Sequence, residues 1–309
     1  MLLEVDELKW SEFISVYGRG SLFVEPVWLS ITETNFGYGL KYYIWKEGMA
    51  EVIGFPIFYK STTIKAPTNF HFFPLVKAKG TEEQKRKAFV RSIENLMSRF
   101  GSIRLKMEID FPYQKELEHL GFNVAEKFTY IKMLENLNYS RNIFRMIKKA
   151  KQQNYTTSLS ASFESSFPKI WESNKGYLLG SKQRQFSNFF SALIEKKFSQ
   201  ILDLHQDGVH IASLLVIEDQ ARKVVYTYLI SIPDKKKFPE AQAMLYDYCM
   251  SYYKNKAYLF CDLCGANLPS VAKFKAKFNG DLERYQYMVY NSSYFSKIEN
   301  YIKKLIRRW

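Results

Sequence analysis

One stretch, residues 224–280, constrains the fold of this chain more than any other. Its first eight residues, VVYTYLIS, alternate between two rows of mostly aromatic and β-branched side chains, which is typical of a β-strand. A charged loop with three consecutive lysines follows. Pro239 then stands where the first turn of an α-helix would begin, a position that tolerates its missing N–H. We therefore predict a strand, a loop and a helix in direct succession.

The same stretch continues as the second half of a βαβ unit. Apolar residues recur at helical spacing between residues 241 and 252, and a short strand over 257–261 ends at Asp262. A helix that starts just beyond a strand end presents free N–H groups and the positive end of its dipole, which suit a phosphate, a carboxylate or a developing oxyanion. From this pattern alone, an anion site and an ordinary crossover without a ligand both stay open.

Composition indicates a globular protein and the sign of the charge expected on its binding partners. The 309 residues include 25 Phe and 22 Tyr, and about half are apolar, which is enough for one large or two medium domains with a real core. Lys and Arg together number 45 and Asp and Glu 31, a net charge of +14. This basic balance favours anionic partners, such as phosphorylated cofactors, RNA or an anionic membrane surface, without choosing among them.

Three features predict a cytoplasmic protein. No apolar run approaches the roughly 20 residues of a transmembrane helix. The first ten residues carry acids and no long apolar core, so we do not predict a signal peptide. The cysteines, Cys249, Cys261 and Cys264, are few and odd in number, which suits a reducing compartment. A peripheral location at the inner face of the membrane stays open.

The first half of the chain is predicted to carry a hairpin followed by alternating helices and strands. Thr81 and Gln84 form a capping-box pattern that opens a long helix, and Gly121 ends a short one. Pro56 argues for an edge or a bulge in the second hairpin strand. The predicted elements are helices over 10–17 and 28–34, a hairpin over 40–60, a helix over 81–100, a strand over 103–109, a helix over 113–120 and a strand over 128–134.

The second half repeats this order after a basic helix. The predicted elements are the basic helix over 136–155, a helical region over 163–198 with a polar break at 180–185, a hairpin over 201–218, a strand over 224–231, a helix over 239–254, a strand over 257–262, a helix over 268–277, a strand over 284–290 and a basic C-terminal helix. Because the order of elements repeats without a short sequence period, we predict a duplication at the level of elements.

The predicted fold class is α+β (α/β) with two similar domains in tandem. The predicted bounds are an N-terminal domain over 1–136, a basic linker helix over 137–160, a C-terminal domain over 161–292 and a basic amphipathic helix over 293–309.

In residues 259–280, LFCDLCGANLPSVAKFKAKFNG, an Asp-x-x-Gly turn precedes a Phe-Lys-x-x-Phe-x-Gly segment. This segment and the order of elements resemble those of the FemAB-like group of tandem GNAT acyltransferases, which includes peptidoglycan-bridge aminoacyltransferases and related acetyltransferase domains. The segment is the most specific part of the match. Five weaker matches occur in the same order along the chain as in the group, at residues 22–30, 54–60, 120–134, 140–152 and 238–250.

Two departures from the group bear on the acyl donor. Asn279 stands where the group usually has Gly. The glycine-rich loop that holds the CoA pyrophosphate in typical GNAT enzymes corresponds to residues 235–241, which contain no glycine. The resemblance implies an acyl-CoA, such as acetyl-CoA, as a co-substrate and no permanently bound cofactor.

The resemblance implies acyl transfer to an amine, with backbone N–H groups at splayed strands stabilising the oxyanion. It implies that Lys275 of the Phe-Lys motif places positive charge near the donor or the oxyanion, with a solvated helix lysine as the alternative. Asp262 is expected either to touch the substrate amine or to cap the turn that follows it. The expected catalytic set is Lys275, Asp262 and Tyr228, and the expected donor-binding set is Ile230, Lys236, Lys237, Phe238, Glu240 and Ala241.

The expected acceptor-binding residues are basic and aromatic: Tyr226, Arg141, Arg145 and Phe72. Arg141 and Arg145 lie on the basic helix, where they would contact a nucleotide-sugar phosphate or a tRNA backbone, or simply form a solvated face. Phe72, with Phe70 and Phe73, would line an acceptor pocket or fill the core.

Three other patterns receive structural interpretations. Cys261-x-x-Cys264 lacks a second ligand pair, so we predict no zinc or other metal. His205 and His210 flank a turn and are expected to face each other across a hairpin. Because we find no carboxylate near them in the sequence, we predict a structural role and not a catalytic one. The tail YFSKIENYIKKLIRRW is a basic amphipathic helix that would lie on an anionic membrane or dock on the domain.

Three functional hypotheses follow. The first is an N-acyltransferase that moves an acyl group other than an aminoacyl group from acyl-CoA or another activated donor to an amine of a sugar or peptide acceptor, such as a peptidoglycan-like cell-envelope precursor. The second is an aminoacyl-tRNA-dependent transferase of the bridge-forming type, which the basic linker favours and which the absence of the long coiled-coil arm of some bridge-forming members disfavours. The third is a catalytically degenerate GNAT protein that binds an anionic ligand, which the missing glycine-rich loop favours.

Overall fold

A computed structural model describes residues 1–18, 21–66, 72–109, 111–160, 162–176 and 183–292. The α-helices are α1 (Glu7–Tyr17), α2 (Pro26–Phe36), α3 (Glu82–Arg99), α4 (Gln114–His119), α5 (Arg141–Gln152), α6 (Phe163–Asn174), α7 (Gln183–Glu195), α8 (Ala241–Asn255) and α9 (Pro269–Lys275). The strands are β1 (Leu2–Val5), β2 (Gly39–Glu47), β3 (Ala50–Lys60), β4 (Thr63–Lys65), β5 (Val76–Lys77), β6 (Ser102–Lys106), β7 (Asn123–Met133), β8 (Tyr155–Leu159), β9 (Ser199–Gln206), β10 (Val209–Asp219), β11 (Val224–Ser231), β12 (Phe260–Asp262) and β13 (Asp281–Asn291). None of the helices in these ranges has the length and apolar composition that crossing a membrane requires.

Local capping chemistry explains several helix boundaries. The capping box predicted at the start of α3 is confirmed, because Thr81 accepts from Gln84 N and the Gln84 side chain accepts from Thr81 N. Ser140 caps α5 in the same region of the chain that was predicted to be a basic helix. Gly121 has a φ of 92°, a conformation that glycine adopts without strain, and it follows the end of α4 as predicted.

The element predictions differ from the structure at several places, and three of these bear on the second half of the sheet. Strand β7 begins at Asn123, five residues before its predicted start. Helix α8 begins at Ala241 rather than at Pro239, because Phe238 O accepts from Ala241 N in a turn that precedes the helix. Strand β8 was not predicted, since its polar residues YTTSL follow the basic helix without a turn signal.

The chain forms two compact units. Unit 1 comprises the described residues of 1–127 together with residues 284–292. Its strand order is β1-β2-β3-β4-β6-β13, with β5 also pairing with β3. Pro56 lies opposite Tyr42 on β2, and on its other side it falls between the pairs made by β5 and β4, which is a local edge of the kind predicted. Helix α3 covers this sheet through Phe89, Ile93 and Leu96.

Unit 2 comprises residues 128–283. Its strand order is β7-β12-β11-β10-β9-β8. Helices α5 and α8 pack together, and their buried residues, including Ile143, Ile147 and Leu245, join the core of the unit. The parallel pair β11–β12 flanks α8 in sequence, as expected of a βαβ unit.

The last strand of each predicted half belongs to the other unit. Residues 131–133 of β7 pair with β12 inside unit 2. Residues 287–291 of β13 pair with β6 inside unit 1. The observed bounds therefore differ from the predicted division into 1–136 and 161–292. The predicted amphipathic helix over 293–309 lies outside the described residues.

Candidate active site

The parallel strands β11 and β12 part at the carboxyl end of β12. They are paired from Val224 opposite Phe260 to Tyr226 opposite Asp262, and β11 then continues to Ser231 without this partner. On its other side β11 carries a β-bulge, because Leu229 pairs with Leu215 whereas Thr227 pairs with Val216. Tyr228 is the extra residue of this bulge, and bulges are common beside active sites.

An open cleft of about 690 Å³ lies beside this free end of β11. One wall is formed by Ile230 and Ile232, which follow the last pairing with β12. The other wall is the second half of α6, and the loop after β11 contributes Pro233 and Lys235. A cleft of this size can hold a small-molecule substrate.

Hydrogen bonds fix α6 against the end of β11. Asn174 Nδ2 donates to Ile230 O over 2.9 Å. Ser231 Oγ donates to Lys169 O over 3.0 Å, so the 2.9 Å contact between Ser173 Oγ and Ser231 Oγ is a bond donated by Ser173. The cleft is therefore set by side-chain hydrogen bonds to the backbone and not by apolar packing alone.

The loop between β11 and α8 is closed by its own hydrogen bonds. Asp234 accepts from Lys237 N over 2.9 Å and from Phe238 N, through its backbone oxygen, over 3.0 Å. Phe238 O accepts from Ala241 N over 3.2 Å. These turns occupy several of the backbone groups that a glycine-rich loop would present to a pyrophosphate, which agrees with the absence of glycine here.

The predicted donor-binding residues do not converge on one place. Ile230 lines the cleft. Lys236 and Lys237 are exposed, and Lys237 Nζ lies 5.2 Å from the centre of the Phe238 ring. Glu240 is only 5% exposed and accepts from Lys149 Nζ of α5 over 2.5 Å, so its carboxylate ties two helices together.

Asp262 is buried at the end of β12 and organises the turn that follows. Its Oδ1 accepts from the backbone N of Cys264 over 2.7 Å and from Thr129 Oγ1. This is the turn-capping role that the sequence offered as one of two interpretations. Cys264 and Gly265 both adopt positive φ in this turn.

Lys275 is buried, so its interpretation as a solvated helix lysine is wrong. It is 7% exposed, and its ammonium donates to the carbonyl oxygens of Leu263, over 2.5 Å, and Cys264. Burial lowers the pKa of Lys275, while the acidic groups of Cys264, Asp262 and Cys261 act against this. Lys275 therefore places a desolvated amine on the turn that Asp262 caps.

The remaining predicted residues have different environments. Tyr226 is buried on β11, and the Tyr228 ring lies 5.5 Å from that of Phe190. Phe72 belongs to the core of unit 1 and is 7% exposed. Lys106 Nζ lies over the Phe72 ring, 4.3 Å from the ring centre. Arg141 and Arg145 are exposed on α5. Phe70, with residues 180–182 of the predicted polar break, lies outside the described residues.

A polar network beside the cleft was missed in the sequence. His205 and His210 do face each other across the β9–β10 hairpin, with ring centres 5.5 Å apart, as predicted. The statement that no carboxylate stands near them is wrong, because Asp203, two residues before His205, lies 3.5 Å from His210 Nε2. Strand alternation was the available signal, since Asp203 and His205 share one face of β9.

The cysteines of the Cys261-x-x-Cys264 pattern lie in and beside the core of unit 2. No group of three or more His, Cys, Asp or Glu side chains in the part of the chain that is described is placed to hold an ion. Cys249 and Cys261 are buried, and the hydrogen bond that the Cys261 thiol donates to Cys249 raises the pKa of Cys261 together with desolvation. Both thiols therefore belong to the core of unit 2.

Comparison with known proteins identifies the fold. No family model and no curated protein matches the sequence. Among solved structures, FemX is similar over 93% of this chain and 96% of its own, with a TM-score of 0.66 and 12% identity. L-PGS from Bacillus licheniformis is similar over 97% of both chains, with a TM-score of 0.59 and 12% identity.

A third structure extends this result to proteins described as tandem GNAT. The tandem GNAT protein from the clavulanic acid biosynthesis pathway is similar over 95% of this chain and 98% of its own, with a TM-score of 0.60 and 8% identity. The chain therefore has the tandem GNAT fold, and the predicted resemblance to the FemAB-like group is confirmed at the level of the fold. Identities this low show the fold alone.

Proposed function

We propose that this chain is a GNAT-type N-acyltransferase that moves an acyl group from an activated donor to an amine, with its reaction centre in unit 2. The observation that carries the proposal is the free end of β11, where β12 has ended, a bulge is centred on Tyr228 and a cleft of about 690 Å³ opens. Backbone groups of a strand that has lost its neighbour can bind an acyl carbonyl and stabilise its oxyanion.

In this proposal the buried polar groups position the reaction centre. Asp262 holds the turn after β12 through Cys264 N, and Lys275 holds the same turn through the carbonyl oxygens of Leu263 and Cys264. The ammonium of Lys275 also places positive charge next to the end of β12, where it favours negative charge on a bound acyl group. Acyl-CoA, including acetyl-CoA, is the proposed donor and a sugar or peptide amine the proposed acceptor.

A second function is favoured by a separate observation on α5. Arg141, Phe144, Arg145 and Lys148 are all exposed and follow the i, i+3, i+4, i+7 spacing of one helix face. Phe144 is 62% exposed between these cations. Cations around an exposed aromatic ring suit a nucleic-acid backbone, so an aminoacyl-tRNA is the alternative donor.

The test measures transfer of labelled acyl groups from acetyl-CoA, and separately of labelled amino acids from aminoacyl-tRNA, to a panel of amino sugars and peptides. Transfer from one donor supports the corresponding function. Thermal shifts with CoA, tRNA or UDP-sugars without transfer from any donor would favour a catalytically degenerate binding protein instead.

A matched pair of variants places the activity in the cleft. Ile230→Trp fills the cleft wall, whereas Val209→Trp adds the same side chain at a strand position that is 65% exposed and outside the cleft lining. We expect transfer to be lost in Ile230→Trp and kept in Val209→Trp, with both proteins folded. Equal activity in the two variants would remove the cleft from the proposal.

A second pair tests Lys275. Lys275→Met removes the buried amine with little change in side-chain length, and Lys273→Met makes the same change at an exposed position of the same helix. We expect at least a ten-fold lower rate for Lys275→Met, corresponding to about 1.4 kcal/mol of transition-state stabilisation. An unchanged rate in a folded Lys275→Met protein would remove Lys275 from the reaction centre.

A further inference from the structure

A chain of hydrogen bonds runs from the cleft to a buried carboxylate. Lys169 Nζ, on the cleft wall, lies 3.0 Å from His210 Nδ1. His210 Nε2 lies 2.8 Å from Ser213 Oγ. Ser213 Oγ donates to Asp203 Oδ1 over 2.6 Å. These hydrogen bonds therefore join an accessible lysine on α6 to a buried carboxylate of the β9–β10 hairpin.

With Lys169 as an ammonium, only one arrangement of protons satisfies all three hydrogen bonds from Lys169 to Asp203. An ammonium can only donate, so Nδ1 of His210 accepts and the imidazole carries its proton on Nε2. Nε2 then donates to Ser213 Oγ, and the hydroxyl proton of Ser213 goes to the carboxylate of Asp203. Ser213 is buried and its proton is directed at Asp203, so it is not a nucleophile. The effect of these three hydrogen bonds is to orient Lys169.

This arrangement holds the lysine without cancelling its charge. Within the described ranges no carboxylate oxygen lies within salt-bridge distance of Lys169 Nζ, and Asp203 is separated from it by His210. Lys149 shows the contrast, since it is paired directly with Glu240. The bond to His210 uses one of the three N–H donors of the ammonium, which leaves two for a ligand.

The two other charged residues on the cleft lining, Lys235 and Glu172, leave the cleft with a net positive charge. Lys235 lines the cleft from the loop after β11. Glu172, the carboxylate on the lining, is paired with Lys175 over 2.8 Å. The uncompensated charge facing the cleft is therefore positive.

We propose that Lys169 binds an anionic group, a phosphate or a carboxylate, of the ligand that occupies this cleft, with Lys235 as a second cation. His210, Ser213 and Asp203 are positioning residues that act through Lys169. The inference rests on the proposed function in that it uses the same cleft, but anion binding is measured without acyl transfer, so the two can fail separately.

The experiment is calorimetric titration of the whole chain with inorganic pyrophosphate and, separately, with succinate, at constant ionic strength because salt screens exposed charges. The anion that binds more tightly distinguishes a phosphate from a carboxylate. We expect Lys169→Gln to weaken binding about ten-fold, the value of one charge-assisted hydrogen bond. Lys196→Gln, at an exposed lysine outside the cleft lining, is expected to bind as the wild type does.

A double-mutant cycle separates positioning from a general structural role. His210→Ala is expected to weaken anion binding several-fold when Lys169 is present and to have no further effect in the Lys169→Gln background. His210→Gln, whose amide can both accept from Lys169 and donate to Ser213, is expected to restore binding. The proposal is overturned if neither anion binds the wild type, if Lys196→Gln weakens binding as much as Lys169→Gln, or if His210→Ala costs the same in both backgrounds.

Discussion

At the residue scale, three buried charged groups of unit 2, on Asp203, Lys132 and Lys275, have neutral hydrogen-bond partners. Asp203 accepts from the hydroxyl groups of Ser166 and Ser213. Lys132 is 3% exposed and donates to Asn138 Oδ1 over 2.6 Å and to Asn279 O over 3.2 Å. Burial lowers the pKa of Lys132, as it does for Lys275. Each charge is thus desolvated and hydrogen-bonded, and each is sensitive to loss of its partners.

The ionisation of Asp203 makes stability depend on pH. Burial opposes ionisation, but hydrogen bonds from His210, Ser213, Ser160 and Ser166 outweigh it and lower the pKa from 3.8 to about 2. Because the pKa is depressed in the folded state, its contribution to stability is complete above the ordinary pKa and disappears as the pH falls through about 2. A shift of this size corresponds to about 2 kcal/mol.

We therefore predict that the wild-type protein loses about 2 kcal/mol more unfolding free energy than Asp203→Asn between pH 5 and pH 2. The measurement is urea unfolding at a series of pH values. Asp207→Asn, at the exposed turn of the same hairpin, is the control and should follow the wild type. Parallel pH profiles for the wild type and Asp203→Asn would show that Asp203 is not the titrating group.

At the element scale, short backbone contacts fix the position of the α9 segment. Gly280 follows α9, and a Cβ placed on it would lie 2.8 Å from the backbone oxygen of Ile131 on β7. Asn279, the residue where the FemAB-like group usually has Gly, has a φ of 53° in the left-handed region, which Asn tolerates better than most residues. Positions 279 and 280 therefore meet two different backbone requirements, a left-handed φ at Asn279 and a close approach to β7 at Gly280.

Replacing Gly280 with Ala should destabilise unit 2. The new methyl group would force β7 and the α9 segment apart, at a cost of about 1–3 kcal/mol. Gly176→Ala is the control, because nothing lies within 4 Å of the added Cβ, and it should change stability by less than about 0.5 kcal/mol. Denaturant unfolding of the two variants measures the difference. A Gly280→Ala protein as stable as the control would mean that the two segments separate without cost.

The elements themselves were well predicted wherever their signals are local. The α3 capping box, the end of α4 at Gly121 and the strand pattern of β11 all follow from residues close in sequence. The start of α8 was displaced by two residues, because the turn at Phe238 competes with the helix for the same backbone groups. Strand β8 was missed, since only its pairing with β9 makes its polar residues a strand.

At the scale of the whole molecule, unit 2 begins within β7 and not after it. Residues 131–133 of β7 pair with β12, and Thr129 donates to Asp262 at the end of the same strand. Leu134 is buried in the core of this unit. A fragment that starts at the predicted linker, residue 137, would lack all of these contacts.

We predict that a fragment over residues 128–283 unfolds cooperatively and that a fragment over 137–283 does not. The shorter fragment exposes the edge of β12 and leaves Asp262 buried without Thr129, which together cost several kcal/mol. Thermal unfolding followed by circular dichroism compares the two. Equal transition midpoints would show that β7 is not needed by unit 2.

The sequence by itself determined most of the order of elements, because their hydrophobic periods and caps are local signals. The resemblance of residues 259–280 to the FemAB-like group supplied the tandem GNAT fold class and the place where the acyl-transfer site was expected. Only the tertiary structure decided which polar groups meet. It buried Lys275 against a turn eleven residues away, joined Lys169 to Asp203 through His210 and Ser213, and assigned the strand over 128–133 to unit 2. Such contacts join residues far apart in the chain, and no local pattern specifies a partner at that distance.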